Sequence, residues 1–359
     1  MREMDTALWA AVDLEHGLPD PALLPPLEDA VAAGARTPRS AWDTARGITA
    51  QLLAAVEPTW PFPAADWTAA GGGEEGVRVA CRAVARPGDV VAVEEPTAPV
   101  LVDVLRQARV RVLPVPVGAE GPDPDGLAAA LRRRAVAFVC QPGAGIPVGR
   151  GFSAERVAEL ARVVRDSDAV VVEYDALGPL AAVPAPSLGA YVPDRVLHVR
   201  SYCAAYGPEL RSCVVAGAAE LVERARRLHR LDTLWPGRVL QNAQAFLVED
   251  PDTGALLRRA RARYARRRKA LAEALRAQGV AVDAADGLAL WVPAADETRA
   301  VISLVNHGVS VGPGARCATR PLAAEHLRVA ITRLPDDVGR VAALAGLIAQ
   351  AVRARVKAG

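Results

Sequence analysis

The segment SYCAAYGPELR, Ser201 to Arg211, is the stretch from which the fold is read. It follows a short β-branched run, RVLHV (Arg195 to Val199), carries a serine and an arginine ten positions apart, and turns through Gly207-Pro208. That is the pattern of a strand running into a tight turn. Upstream, strand-like runs alternate with helical periodicity: strand Val90 to Glu94, helix 98–108, strand Val110 to Val115, helix 125–134, strand Ala135 to Cys140, and strand Ala169 to Glu173. Strands separated by helices predict a mostly parallel sheet covered on both faces. Before these, residues 45–86 read as helix, loop, helix, broken at Trp60-Pro61-Phe62-Pro63. Downstream, Ser212 to Ala216 reads as a strand and Leu221 to Leu231 as an amphipathic helix. Trp235-Pro236-Gly237 marks a boundary, and long helices follow over 238–249 and 254–275.

Composition narrows the class. With 359 residues, 51% of them hydrophobic and 23% charged, the chain can bury a large core and is expected to form one large and one smaller domain. A net charge of +2 gives no reason to expect nucleic acid or an anionic membrane as the main partner. The arginines of LLRRARARYARRRKALAEAL recur at helical spacing and read as a solvated face. No apolar run approaches the roughly 20 residues that span a bilayer, and MREMDTALWAAVDLEHG lacks the regions of a signal peptide, so a cytoplasmic location is expected. The five cysteines are scattered, odd in number and without metal spacing, which favours reduced thiols and no metal site. Lysine occurs only at Lys269 and Lys357, in helical-looking C-terminal segments; arginine does not form Schiff bases with aldehyde cofactors.

Three places carry candidate chemistry. Gly71-Gly72-Gly73-Glu74-Glu75 opens a helix, where backbone N–H groups can approach an anion; a plain helix cap is the alternative reading. Glu173, Tyr174 and Asp175 end a strand at the edge where parallel sheets bind ligands, against the alternative that Tyr174 packs and both acids face water. Arg328 sits between apolar strand residues, where a guanidinium needs a partner and suits a carboxylate ligand or an internal ion pair.

The segment at Ser201 resembles the cofactor-lysine segment of fold-type I pyridoxal-phosphate (PLP) enzymes, closest to the aminotransferase-like domain of MocR-type regulators, which reads S-F-S-K-T-L-A-P-G-L-R. The resemblance covers nearly the whole chain: PGDVVAVEEP, VLPVPVGAEG and QPGAGIPVG follow the family's phrases in order, and GLALWVP, HGVSVGPGARC and HLRVAITRL follow its small-domain pattern. It implies the following correspondences. Gly72, Gly73, Ser201 and Arg211 fall on the cofactor phosphate site, Arg328 on the arginine that binds the substrate α-carboxylate, and His16 on the N-terminal arm, facing substrate or lying in a surface loop. The lysine position is Ala204, the stacking aromatic falls on Ala98, the polar group for the ring oxygen on Gly145, and the ring-nitrogen aspartate on Val172 or Tyr174. No winged-helix domain precedes the arm, so a transcription-factor role is not expected.

The expected fold is therefore α/β, aminotransferase fold type I. Residues 1–44 would form an arm joined to the small domain, 45–236 a large domain with a mostly parallel seven-stranded sheet, and 237–359 a connecting helix and a smaller α+β C-terminal domain. The expected function is that of a divergent aminotransferase-like enzyme of specialised metabolism. It would act without a PLP Schiff base on a small amino-acid-like substrate bearing carboxylate or phosphate, with Glu173, Tyr174 and Cys203 as catalytic candidates. Two alternatives stand beside it: a non-catalytic binding or scaffolding homologue, and an aminotransferase or dehydratase using non-covalent PLP or pyridoxamine phosphate, which resembles the family branch with histidine at the lysine position. The resemblance also implies a homodimer.

Overall fold

The computed structural model describes residues 12–37, 46–232 and 236–354. The chain packs as two compact units. The smaller comprises residues up to Asp20, Ile146–Gly149 and the chain from Ala262 onward; the larger comprises Pro21–Gly145 and Arg150–Arg261.

Strand β1 (Val12–Leu14) belongs to the smaller unit, and helices α1 (Glu28–Arg36) and α2 (Ala50–Val56) to the larger. The larger unit continues with β2 (Asp66–Ala70), α3 (Gly73–Val84), β3 (Val90–Glu95), α4 (Pro99–Gln107), β4 (Arg111–Gly118), β5 (Gly121–Pro122), α5 (Pro124–Arg132), β6 (Ala135–Cys140), α6 (Ala154–Arg165), β7 (Val170–Asp175), β8 (Val196–Ser201), α7 (Cys203–Tyr206), β9 (Cys213–Gly217), α8 (Ala219–Asp232) and α9 (Arg238–Glu249). Its eight-stranded sheet runs β2-β9-β8-β7-β6-β3-β4-β5. The central pairs are parallel, whereas β9 runs against both β8 and β2. Seven of these strands make the expected sheet, and the eighth is the two-residue β5 folded back on β4. The valine runs of β3, β6 and β7 are buried throughout or nearly so, as strands covered on both faces must be. Sequence supplies the helix starts as well: the side chains of Asp123 and Ser153 accept the N–H groups of Gly126 and Arg156, capping α5 and α6.

Two expectations need correction. Residues 45–86 are helix, strand, helix, because DWTAA pairs along its whole length with β9 at the sheet's edge. Without that partner the short alanine-rich run carries little strand signal of its own. The division of the chain also falls inside α10 (Pro251–Ala277) and not at residue 237, and residues 21–37 go with the larger unit. Helix α9 is held there by α1, whose Gly34 has so little clearance that a Cβ would come within 2.9 Å of the Ala243 backbone N. The buried Gln241 carboxamide adds to this, accepting Thr49 N–H at 2.9 Å and donating to Pro236 O at 2.8 Å.

In the smaller unit, β10 (Ala289–Ala294), α11 (Glu297–Val305), β11 (Val309–Pro313), β12 (Glu325–Ala330) and α12 (Val338–Arg353) follow α10. The four-stranded sheet runs β1-β11-β12-β10, with β1 parallel to β11 and the remaining pairs antiparallel. Among the described residues no helix is long and apolar enough to cross a membrane.

Candidate functional site

From β3 the chain steps to β4 on one side, then returns to β6 on the other. The order of strands therefore reverses between β3 and β6, and the carboxyl edge of the sheet beside that reversal is where such sheets bind ligands. Strand periodicity then divides the residues at this edge between two faces. Along β7, Val172 and Tyr174 point to one face while Glu173 and Asp175 point to the other, and the register places His198 opposite Glu173 and Arg200 opposite Asp175.

On the α3 face, Tyr174 meets the start of α3. Gly72 caps that helix at φ 112°, a backbone conformation that favours glycine, and Gly73 allows the closest approach. A Cβ at residue 73 would lie 2.7 Å from the Tyr174 hydroxyl and 2.8 Å from both Cβ and Oγ of Ser201. Ser201 Oγ accepts the Cys203 N–H at 3.3 Å, and Cys203 Sγ would lie 3.7 Å from a Cβ on Gly72. Ala204, the second residue of α7, is half-buried. The structure thus brings Gly72, Gly73, Tyr174, Ser201 and Cys203 together. Burial, with the charges of Cys213, Cys203, Asp175 and Glu74 adding to it, pushes the Tyr174 phenol well above its ordinary range, so it acts as a hydroxyl and not as a phenolate. Arg211 is exposed and held in left-handed backbone at φ 45°.

At the strand reversal, Gln141 Nε2 donates to Glu94 Oε1 at 2.7 Å and is 3.3 Å from Thr97 Oγ1. Burial pushes the Glu94 carboxyl up to about 8 despite the hydrogen bonds from Gln141 and Thr97 that favour its charged form. Ala98 and Val172 are 1% and 0% exposed, and Gly145 is buried with Gln141 Cβ 3.3 Å from where its own Cβ would be.

The opposite face holds Glu173, so the structure does not bring this catalytic candidate together with Tyr174 and Cys203. Its Oε2 accepts Ser187 Oγ–H at 2.6 Å and His198 Nδ1–H at 2.8 Å, and its Oε1 accepts the Leu188 N–H at 2.7 Å. His198 Nε2 lies 3.9 Å from Asp175 Oδ2, an ion-pair distance longer than a hydrogen bond. Arg200 donates through Nε to Asp175 at 3.2 Å and through Nη2 to Thr59 O at 2.9 Å, with its guanidinium 4.6 Å over the Trp60 ring. Burial alone would discharge these groups. Asp175 and Glu173 nevertheless raise the His198 pKa above its ordinary value, and His198, Arg200 and the Gly178 N–H hold Asp175 below the usual carboxylate range. Neither His198 nor the Glu94–Gln141 pair stands out in the sequence. The signal available was the run of polar residues at successive strand ends, EE, CQ, EYD and HVRS.

In the smaller unit, Arg328 Nη2 donates to Glu15 O at 2.6 Å, while its Nε is buried with no hydrogen-bond partner among the described residues. The neighbouring His16 is 66% exposed and bonded to Asp13 Oδ2 at 3.0 Å, within an Asx-type turn in which Asp13 also accepts the N–H groups of Glu15 and His16. Among the described residues Arg328 thus has a backbone acceptor and no ion pair, and it sits beside the arm residue paired with it as a substrate candidate.

A PLP group held by a Schiff base does not fit the larger unit. No lysine occurs between Met1 and Arg268, Ala204 follows Cys203 on α7, and the Tyr174 hydroxyl packs against the glycine turn. Lys269 lies on α10, 75% exposed and 3.8 Å from Glu273, and Lys357 lies outside the described residues.

Comparison with known proteins places this geometry. The family profile described as aminotransferase class I and II matches residues 38–343. The chain is 30% identical over 339 residues to the vitamin B6 salvage pathway transcriptional repressor PtsJ of Salmonella typhimurium, covering 90% of this chain and 76% of that protein. It is 27% identical over 254 residues to the HTH-type transcriptional regulator TauR of Rhodobacter capsulatus, covering 68% of this chain and 51% of that protein. Among solved structures, Pyrococcus horikoshii kynurenine aminotransferase superposes with a TM-score of 0.84 at 18% identity, over 97% of this chain and 92% of that one. By the extent of the profile match and of the likeness to PtsJ, with the fold in agreement, this chain belongs to the class I and II aminotransferase family.

Proposed function

We propose that this chain is a ligand-binding member of its family that does not transaminate, taking a small amino-acid-like molecule at the carboxyl edge of its large sheet without a covalent link to PLP. The observation that carries the reading is the lysine-free larger unit, with Ala204 where the resemblance puts the anchoring amine. Transamination needs that amine twice, to hold the cofactor and to move the proton. The residues left at the turn do not replace it. Tyr174 stays protonated because burial raises its pKa, so it has no lone phenolate to take a proton, and the Glu173 side chain is engaged by three donors on the other face. The names of PtsJ and TauR, a repressor and a regulator, support binding over catalysis. The homodimer expected from the resemblance is part of this reading and is checked by light scattering.

The test is chemical. The purified protein is incubated with PLP, reduced with borohydride and analysed by mass spectrometry, in parallel with A204K. Wild type is expected to carry no stoichiometric pyridoxyl adduct and A204K to gain one at residue 204; a stoichiometric wild-type adduct at Lys269 or Lys357, accompanied by amino-acid-dependent loss of the bound aldehyde's absorbance, would restore a conventional transaminase. One observation favours a catalytic reading, namely that Tyr174, Ser201 and Cys203 share the turn. Turnover of an amino acid by PLP-free protein, abolished in C203A, would establish it in place of binding.

A further inference from the structure

The far end of the large sheet carries a second collection of charge. Strand β6 lies in the middle of that sheet and is buried along its length except at Val136, which is 36% exposed. An exposed valine on a central strand marks a gap in the helix cover. The gap is a cleft of about 680 Å³ at the amino ends of β6 and β7, within the size range of small-molecule sites. Its floor is apolar, with Leu131 and Val163 half-buried beside Val136. Arg132 and Arg134 enter it from the end of α5 and the turn into β6, and Asp166 and Asp168 from the end of α6 and the turn into β7. Among the described residues none of these four side chains makes an ion pair or a hydrogen bond. Arg134 holds left-handed backbone at φ 62°, where a helix ordinarily ends in glycine, so the backbone alone does not account for an arginine there.

The lining sets the chemistry of what fits. A carboxylate matches the planar donors of the arginines, an ammonium matches the aspartates, and an apolar body covers the valine floor. A ligand with only one sign of charge would meet two like charges and leave half of the lining unanswered. We propose that this cleft is a second ligand site, taking a zwitterion with an apolar side chain, supplied as a free amino acid or as a short peptide. It stands apart from the binding reading above, because the six-residue strands β6 and β7 put about 20 Å between the two edges of the sheet. All four charged residues are exposed, so water screens each contact and binding is weak; its selectivity comes from meeting both charges and the apolar body at once.

Photo-crosslinking of the full chain tests this with a diazirine analogue of leucine, which keeps both charges. After irradiation and proteolysis, mass spectrometry is expected to find label on residues 128–136 and 163–169, and excess leucine should remove it. N-acetyl-leucine and leucinamide, each lacking one charge, should compete about tenfold less well. Arg134→Gly, which suits the left-handed backbone, and the double variant Asp166→Asn, Asp168→Asn should each lower the label about tenfold. Their melting temperatures should stay close to wild type, because these side chains are exposed. Leucyl-leucine competing better than leucine would assign the short peptide, and the reverse the free amino acid; either supports the site. Label that avoids both segments, that leucine does not displace, or that persists in both variants would reduce the cleft to a solvated surface. Label near Tyr174 or Ser201 reports on the earlier binding reading, and its absence would count against that reading alone.

Discussion

On one face of β7, Glu173 and Asp175 meet His198, Arg200, Ser187 and the Leu188 and Gly178 amides in a buried polar network. On the other, Tyr174 presents one hydroxyl to a glycine and a serine. These are neighbours in sequence, yet the first face is rich in hydrogen-bond partners and the second is crowded by close contact. The difference teaches that residue type at this strand end is a poor guide to role. The acid among the catalytic candidates, Glu173, lies in the buried network, and the adjoining Tyr174 lies against the glycine turn.

The largest effect should come from the hydrogen-bonded face. Glu173→Ala leaves His198, Ser187 and the Leu188 amide without their acceptor in the interior, at a cost of about 3–5 kcal/mol in unfolding by denaturant. A loss under about 1 kcal/mol would mean the network relaxes freely and the contrast between faces is false. The crowded face should lose less: Gly73→Ala forces a methyl against Tyr174 and Ser201, costing about 1–3 kcal/mol. Adding Tyr174→Phe removes one of the two contacts and should recover part of the loss in a double-mutant cycle. Full additivity would show that the hydroxyl is not where the crowding lies.

The smallest effect sharpens the comparison through pH. His198 has a folded pKa raised above its ordinary 6.5, so its contribution is fully present below about pH 6.5 and is lost as pH rises through the folded value. A single proton limits the slope to about 1.4 kcal/mol per pH unit. Asp175, held below 3.8, acts in the opposite sense and loses its contribution only as pH falls below that value. Denaturation profiles of wild type and H198Q should therefore converge toward alkaline pH. Profiles that stay parallel would remove the imidazole from the network.

Much of the architecture was legible because it is written in short-range pattern. The valine runs of β3, β6 and β7 and the helices between them declare a parallel sheet, and α9 was read to the residue as 238–249. The strand DWTAA was not, since its identity depends on pairing with β9, more than a hundred residues away. At the site, the sequence singled out Gly72, Gly73, Ser201 and Cys203, and the structure places Gly73 against Ser201 and Gly72 near Cys203. The sequence offered no means to see that Glu75 reaches back to Gly71, or that His229 braces it from α8.

The chain's own letters determined its fold family, through repeated strand and helix periods, and determined that no lysine side chain occurs anywhere before residue 269. Only the tertiary structure decided which side chains share a space. A strand sends adjacent residues to opposite faces, and what each one meets there is brought by other segments of the chain. Glu173 and Tyr174 are therefore one bond apart in the backbone and on different sides of the sheet in the molecule.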